Sequence, residues 1–344
     1  MKIYQKIKTN NSKVVKICGI TFSSKRKSGD VVKEKRLFGL FKTKANSFKK
    51  KFYVLGIKLF AVKTQTQTMR LNQADFNRLV NCIGQKTQRS LTVAFLHQKT
   101  FGEFRNKYEG KTVTLIGAGP TVSFFGPIEN SVYVGLNRAF LFDKVHFDYL
   151  FTIDKWGLDT GTVNYMDDFI NYDSLKFVGD QNGNSNYQIP QSLGNGRSDV
   201  RRYKTTAGGY LPNKFALDID TEALANSVSV ALQAMQFILF TNPKRVYIVG
   251  IDCTGASNQH FKGSGQDGTT RGQSPQKLDE IHKKDWHRLK DFVSTYYPET
   301  EIISVNPVGL KGLFHDVYTE SYLNDHPEIN RNDIEILETT NTEI

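Results

Sequence analysis

The segment Lys111–Pro120, KTVTLIGAGP, constrains the fold of this chain more than any other ten residues. Thr112–Ile116 is an apolar run of strand length that leads directly into two glycines, Gly117 and Gly119, closed by Pro120. Glycines at the carboxyl end of a first strand let the backbone approach a ligand closely and leave N–H groups to face a phosphate. The segment therefore predicts the start of an α/β domain and, beside it, either a nucleotide site or a tight turn without a ligand.

Positive charge is concentrated at the N-terminus. Residues 1–66 contain 18 basic and 2 acidic residues, whereas the remainder contains 28 basic and 32 acidic residues, and the whole chain carries a net charge of +12. Three basic segments of this arm each place a glycine between hydrophobic residues: Lys13–Phe22, Arg36–Phe41 and Lys51–Phe60. Because each segment is too short to enclose a core, we expect short strands or hairpins.

Two interpretations of this arm remain open. It is either a solvated basic extension or an anchor on an anionic membrane surface, where clustered lysines with interleaved Phe and Leu are favourable. Nucleic acid is not expected as its partner, because the arm has no recognisable nucleic-acid motif and the rest of the chain has no basic excess.

The chain has no run of eighteen apolar residues and no secretory signal after Met1. Its three cysteines, Cys18, Cys82 and Cys253, are far apart and odd in number, which indicates a reducing compartment and argues against a zinc site. We therefore expect a cytoplasmic protein, peripheral on the inner face of the membrane if the arm is an anchor, with no bound metal.

The hydrophobic pattern divides the chain into four parts. The basic arm, 1–66, is followed by a helical lead-in, 67–108. Residues 109–323 alternate short apolar strands with helices, which predicts a Rossmann-like α/β domain with a mostly parallel sheet and helices on both faces. The final part, 324–344, is an acidic and polar tail whose composition favours disorder.

Six strands and two helices are predicted in the α/β domain. The strands are Thr112–Ile116, Val132–Leu136, Tyr149–Ile153, Lys176–Val178, Arg245–Gly250 and Glu301–Val305. The helices Glu222–Phe240 and Lys277–Tyr297 precede the fifth and sixth strands. Gly179–Leu211 lacks periodicity, which indicates a long functional loop or lid.

Polar residues follow several of these strands, at the edge where ligands of an open α/β sheet bind. Asn137 follows the second strand, where its amide suits either a base or ribose edge or a helix cap. Asp154 follows the third strand, but no second carboxylate adjoins it to complete a metal site. Asp252 follows the fifth strand, where capping of the next turn is the ordinary role of an aspartate.

Two histidines are candidates for proton transfer. His282 lies four residues after Leu278 and four before Trp286, on the inward face of the second predicted helix, where a histidine is either a core residue or a catalytic base. His260 lies on the loop after Asp252 and suits an acid or a phosphate partner.

The order of these motifs resembles that of the bacterial family-42 sialyltransferases and the related motility-accessory-factor glycosyltransferases. The matching segments, within residues 95–315, are Gly117–Pro120, Leu136-Asn137, Val249–Asp252, His282 and Val305–Pro307. The resemblance implies inverting, metal-independent transfer of a sugar from a nucleotide-activated donor, a CMP-sugar, to a surface glycan or lipooligosaccharide. The donor is then a co-substrate, and no cofactor is implied.

The same resemblance implies roles for individual residues. His282 is the general base that deprotonates the acceptor hydroxyl. Ser227 reaches the phosphate or the sugar, and Ser229 fits this role nearly as well. The residues implied in binding the nucleotide and the substrates are Gly117, Ala118, Gly119, Pro120, Asn137, Asp154, Ser227, Asp252 and Thr254.

The chain departs from the family pattern at three places. Ala118 stands where the family has Asn, Thr254 and His260 stand where it has two tyrosines that assist the leaving phosphate, and the arginine expected before the serine is missing. His260 is our hypothesis for the leaving-group donor. Two other functions remain open: a magnesium-dependent, pyrophosphokinase-like phosphotransferase, and a non-catalytic nucleotide-binding protein. A homo-oligomer is compatible with any of them.

Overall fold

A computed structural model describes residues 4–9, 12–17, 20–28, 31–36, 41–45, 49–54, 57–63, 73–153, 155, 158–160, 163–180, 189–206, 215–227, 229–254, 260–264 and 275–337. The chain divides into two compact units, Met1–Ile83 and Gly84–Ile344.

The first unit contains a seven-stranded antiparallel sheet. Its strands, β1 to β7, are Tyr4–Thr9, Ser12–Ile17, Ile20–Ser28, Val31–Arg36, Phe41–Ala45, Lys49–Val54 and Ile57–Lys63. Each strand pairs with the next one in sequence, so the sheet is a simple meander. Each of the three basic repeats spans a connection between two strands, in agreement with the short β-type repeats that the sequence predicts.

The second unit contains a nine-stranded sheet in which every neighbouring pair is parallel. Its strands are β8 Thr112–Ile116, β9 Ser131–Leu136, β10 Tyr149–Thr152, β13 Leu175–Asp180, β14 Val200–Lys204, β15 Arg245–Val249, β16 Glu301–Val305, β17 His315–Tyr318 and β18 Glu335–Ile336. Their order across the sheet is β14-β13-β10-β9-β8-β15-β16-β17-β18. A separate short hairpin pairs β11 Asp159–Thr160 with β12 Val163–Asn164.

The second unit contains helices on both faces of this sheet. They are α2 Met166–Asn171, α3 Ala231–Phe240, α4 Pro275–Tyr296, α5 Glu320–Asp325 and the C-terminal end of α1 Gln73–Phe101. Alternate residues of the strands join two different apolar clusters, one shared with α1, α3 and α4 and the other with α2. This arrangement confirms the predicted Rossmann-like α/β fold.

The strand order reverses direction once. From β8 the chain proceeds outward through β9, β10, β13 and β14, and it then returns to place β15 on the other side of β8. In open parallel sheets, ligands bind beyond the carboxyl ends of the strands at such a reversal. The fold therefore puts the candidate site where β8 and β15 end.

Two predictions about the middle of the chain were wrong. The helix expected to begin at Glu222 begins at Ala231, because Leu224 instead pairs with the end of β14: its N–H lies 3.1 Å from the Lys204 carbonyl oxygen. The predicted loop 179–211 contains the end of β13 and the whole of β14, which pair in parallel. Residues 181–188 and 207–211 of that loop lie outside the described residues.

The acidic tail is ordered in part. Glu335–Ile336 pairs in parallel with β17, and the Leu337 N–H lies 2.8 Å from the Tyr318 carbonyl oxygen. The expectation of disorder was therefore wrong for this segment, because the edge of the sheet supplies hydrogen-bond partners that composition does not reveal.

His97 is a fully buried histidine that joins three parts of the second unit. Its Nε2 accepts the Lys204 N–H at 2.8 Å, so the proton of the neutral ring is on Nδ1, which donates to the carbonyl oxygens of Ile219 and Glu222 at 2.7 and 2.9 Å. Burial lowers the pKa of His97, and the two carbonyl contacts oppose that shift. The folded protein therefore favours the neutral ring.

We expect His97 to make stability fall in mild acid. Because the pKa is lowered on folding, the unfolded chain binds this proton more readily, and stability is lost as the pH falls below about 6.5 towards the folded-state pKa. The slope from one proton is at most about 1.4 kcal/mol per pH unit. Urea unfolding at pH 7.5 and 5.5 measures it. His97→Gln, which cannot titrate, should show a smaller loss; equal losses in the two proteins would contradict this account.

Candidate functional site

The chain turns sharply at the carboxyl ends of four central strands. The residues that follow β8, β9, β15 and β16 are Gly117, Asn137, Gly250 and Asn306, and the last three have φ values of +48°, +65° and +50°. Glycine and asparagine are the residues that adopt this left-handed region most readily. These turns direct the loops of the candidate site across the edge of the sheet.

The two glycines of the first turn contact another loop. The N–H of Gly117 donates to the Val249 carbonyl oxygen and that of Gly119 to the Gly250 carbonyl oxygen, both at 2.8 Å. A Cβ atom would lie 2.5 Å from the Gly250 oxygen at Gly117 and 2.6 Å from it at Gly119. Both N–H groups are therefore occupied by backbone oxygens, which matches the tight turn of the two alternatives above: the glycines allow two backbones to meet where the strand order reverses.

Asp252 fastens this contact. Its Oδ2 accepts the Thr121 N–H at 3.1 Å, and its Oδ1 accepts a short hydrogen bond from the Thr121 hydroxyl. Burial raises the pKa of Asp252, and the hydrogen bonds from Thr121 oppose the shift. The sequence predicts that Asp252 caps the turn after it. Its carboxylate instead holds the 3₁₀ helix Pro120–Phe124.

The loop that carries His260 contacts Ala118. The Phe261 N–H donates to the Ala118 carbonyl oxygen at 2.8 Å, so His260 lies on the loop that covers the glycine turn. The Phe261 side chain is buried against Phe142, with ring centroids 6.2 Å apart. Thr254 is partly buried at the start of the same loop, whereas Asp154 lies outside the described residues.

Arg138 is a site residue that sequence reasoning missed. It follows Asn137, it is 1% exposed, and its Nη1 donates to the Ser264 carbonyl oxygen at 3.0 Å. Its guanidinium carbon lies 4.8 Å from the centre of the Tyr165 ring, and burial lowers its pKa. Arg138 therefore ties the loop that carries His260 to the end of β9. The sequence does offer a signal for Arg138: it is a single charged residue between the end of a predicted strand and the apolar pair Ala139-Phe140.

Asn137 does not act as a helix cap. The 3₁₀ helix that it begins, Asn137–Leu141, has no side-chain cap, and the Asn137 Oδ1 accepts the Thr152 hydroxyl at 3.0 Å. The hydrogen bond to Thr152 fixes the carboxamide at the carboxyl edge, with Nδ2 as the group that can donate to a ligand.

Ser227 contacts the histidine-bearing helix. Its Oγ donates to Asp285 Oδ2 at 2.8 Å, and both side chains are buried. Burial raises the pKa of Asp285, while Ser227 and the guanidinium of Arg288, 3.6 Å away, oppose the shift. Ser227 thus donates to a carboxylate and not to a ligand. Ser229, its alternative, accepts at 3.2 Å the N–H of Ala231, the first residue of α3.

His282 lies one turn before Asp285 and is partly buried. Helix α4 runs from the carboxyl side of β15 to the amino end of β16, so its first turns lie at the carboxyl edge of the sheet. The Ser227–Asp285 hydrogen bond fixes this part of α4 to the segment before α3, which begins at the same edge. Asp285, which sequence reasoning did not single out, is the residue that makes this connection.

Among the described residues, no three His, Cys, Asp or Glu side chains cluster in the way that metal ligands do. Among the helices of the same residues, none combines the length and the apolar character needed to cross a membrane.

No protein-family model and no curated protein sequence matches the chain. Among solved structures, the MAf glycosyltransferase from Magnetospirillum magneticum AMB-1 is 13% identical, with a TM-score of 0.35, over 72% of this chain and 40% of that one. The sialyltransferase CstII from Campylobacter jejuni, in complex with the substrate analogue CMP-3FNeuAc, is 11% identical, with a TM-score of 0.33, over 68% of this chain and 89% of that one. The chain thus spans less than half the length of the first protein, and TM-scores this low establish no activity.

Proposed function

We propose that the second unit is a glycosyltransferase that moves a sugar from a nucleotide-activated donor to a glycan or glycolipid acceptor. One observation carries the proposal: Asn137, the loop of His260 and the helix of His282 all belong to the carboxyl edge of one parallel sheet, around the point where the strand order reverses. That edge is the general ligand site of such folds. Asn137 supplies a hydrogen-bond donor for the nucleotide, His260 an acid and His282 a base, as the transfer requires.

The nucleotide is held mainly by side chains. Because the N–H groups of Gly117 and Gly119 are occupied by backbone oxygens, Asn137 is the donor to the base or ribose and His260 is the partner of the phosphate. A single phosphate can be neutralised by one protonated histidine, whereas a diphosphate leaving group ordinarily requires a metal ion or several cations. This difference favours a CMP-sugar over UDP- and GDP-sugars.

The reaction is a single displacement at the anomeric carbon. The acceptor oxygen attacks opposite the leaving phosphate while His282 takes the hydroxyl proton, and the bond from the anomeric carbon to the phosphate oxygen breaks. His260 gives its proton to the departing phosphate. Attack from the opposite side inverts the anomeric configuration, and the Ser227–Asp285 hydrogen bond keeps the helix of His282 in place.

Calorimetric titration tests which nucleotide-sugar the protein binds. We expect CMP-sugars to bind, UDP- and GDP-sugars to bind more weakly, and EDTA to leave the affinity unchanged. Asn137→Ala should weaken CMP-sugar binding by about three- to tenfold, the worth of one hydrogen bond. Asn242→Ala is the matched control, because Asn242 also has a positive φ but lies before the amino end of β15.

Two results would contradict the proposal. Binding of ATP that requires magnesium, without binding of nucleotide-sugars, would favour the phosphotransferase. Binding of nucleotides without any turnover of nucleotide-sugars would favour a non-catalytic binding protein.

A further inference from the structure

The seven-stranded sheet has one apolar end. Because consecutive strands run in opposite directions, the paired ends of β2 with β3, of β4 with β5 and of β6 with β7 lie at the same end. The residue pairs that close this end are Ile17 with Ile20, Arg36 with Phe41 and Val54 with Ile57. We call the five apolar residues among these six the apolar end.

The opposite end differs in character. Its first and second connections are closed by Thr9 with Ser12 and by Ser28 with Val31, and at the third β5 ends at Ala45. The two ends therefore share a backbone architecture but not a chemistry. The strands pair in the same way at both ends. Strand pairing therefore does not explain why apolar residues are concentrated at one of them.

Lysines lie next to the apolar end. One residue inward from it, the strands carry Lys16, Lys35, Lys42 and Lys58, and the register places Lys35 directly opposite Lys42. Farther along, Arg26, Lys33, Lys44 and Lys51 lie opposite one another in a row across β3 to β6. The register thus concentrates basic positions beside the apolar end, a pattern that suits an anionic partner.

We propose that the apolar end docks on a lipid bilayer that contains anionic phospholipids. Apolar residues bordered by lysines match the layering of such a surface, with acyl chains beneath negatively charged headgroups. The excess of 18 basic over 2 acidic residues in 1–66 supplies the long-range attraction. The phosphates of a nucleic acid could bind the lysine rows, but they would make no favourable contact with the apolar end. This docking is independent of the reaction proposed above.

Vesicle sedimentation with the full-length protein tests the docking. We expect binding to phosphatidylcholine vesicles that contain about a third phosphatidylglycerol, little binding to phosphatidylcholine alone, and release by high salt, since salt screens the attraction. The double variant Phe41→Glu/Ile57→Glu should lower the partition coefficient at least about tenfold, because it puts charge at the apolar end.

The matched control is Ser28→Glu/Ala45→Glu, which changes the net charge by the same amount at the opposite end. Ala45 lies four residues from Phe41 along β5, about 13 Å at the rise of a strand, which exceeds the Debye length of about 8 Å. The control should therefore lose less than about threefold. Equal losses in the two variants would overturn the proposal.

A milder pair of variants covers the case in which the glutamates prevent folding. Phe41→Trp should gain fluorescence that brominated lipids quench, whereas Ala45→Trp should gain fluorescence that they do not quench. Absence of quenching at both positions would overturn the proposal. So would tight binding of the full chain to oligonucleotides combined with no binding to anionic vesicles, since that result would assign the lysine rows to nucleic acid.

Discussion

Replacing His282 with alanine is expected to lower the turnover of the nucleotide-sugar by about 10²- to 10⁴-fold, the usual contribution of a general base. The acceptor need not be known, because release of the nucleotide to water requires the same proton removal. The measurement is the rate of nucleotide release under saturating donor, with folding checked by circular dichroism.

His287 provides the matched control for this experiment. It is carried by the same helix, five residues farther along, but it is exposed. His287→Ala should keep its rate within about twofold, as expected for a surface substitution away from the site. If the folded His282→Ala protein kept the full rate, the mechanism would be wrong even if the donor were correct.

Replacement of Gly119 is expected to have a large effect on the free energy of unfolding. Gly119→Ala is expected to destabilise the second unit by about 2–3 kcal/mol, because its Cβ would lie 2.6 Å from the Gly250 carbonyl oxygen and 2.7 Å from Asp252 Oδ2. Relief would require separating the two loops, which would break the Gly119 N–H···O contact and the hydrogen bonds between Thr121 and Asp252. The free energy of unfolding from urea titration measures the change.

Gly84→Ala is the control for this substitution. Gly84 lies within α1 and a Cβ there would meet no atom within 4 Å, so alanine should stabilise the protein by about 0.5–1 kcal/mol. Opposite signs for the two variants are the expected result. A neutral Gly119→Ala would mean that the two loops do not meet as described.

The central strands could be predicted because each is a continuous buried run. Thr112–Ile116 and Glu301–Val305 begin and end where the sequence pattern puts them, since strands covered on both faces need no alternation to be recognised. The edge strand Val200–Lys204 was missed because VRRYK has no such run: at the edge, four of its five residues are only partly buried.

The glycine turn shows why the candidate site was harder to predict than the sheet. Sequence indicates that a backbone must approach something closely at Gly117 and Gly119, but the same glycines suit a phosphate and a neighbouring loop equally well. The partner, Gly250, lies more than 130 residues away and is identified only by the pairing of β8 with β15. For the same reason, the local sequence of Asp252 predicts a cap, and only the fold brings Thr121 to it.

Ser227 and Asp285 also show that local sequence does not reveal the partner of a polar group. The family resemblance assigns the serine to a ligand, whereas nothing in the charged helix sequence KLDEIHKKDWHR singles out the carboxylate. Their hydrogen bond depends on how α4 packs beside the start of α3. Tertiary packing, which no local pattern encodes, decides which polar groups are available for chemistry.

The most direct test of the account is proton NMR of a CMP-sugar incubated with the full-length protein in EDTA. The account predicts that CMP is released without a metal ion, that the first product has the inverted anomeric configuration, and that both signals disappear with His282→Ala. A donor that stays intact, a product with retained configuration, or turnover that begins only when magnesium is added would contradict it.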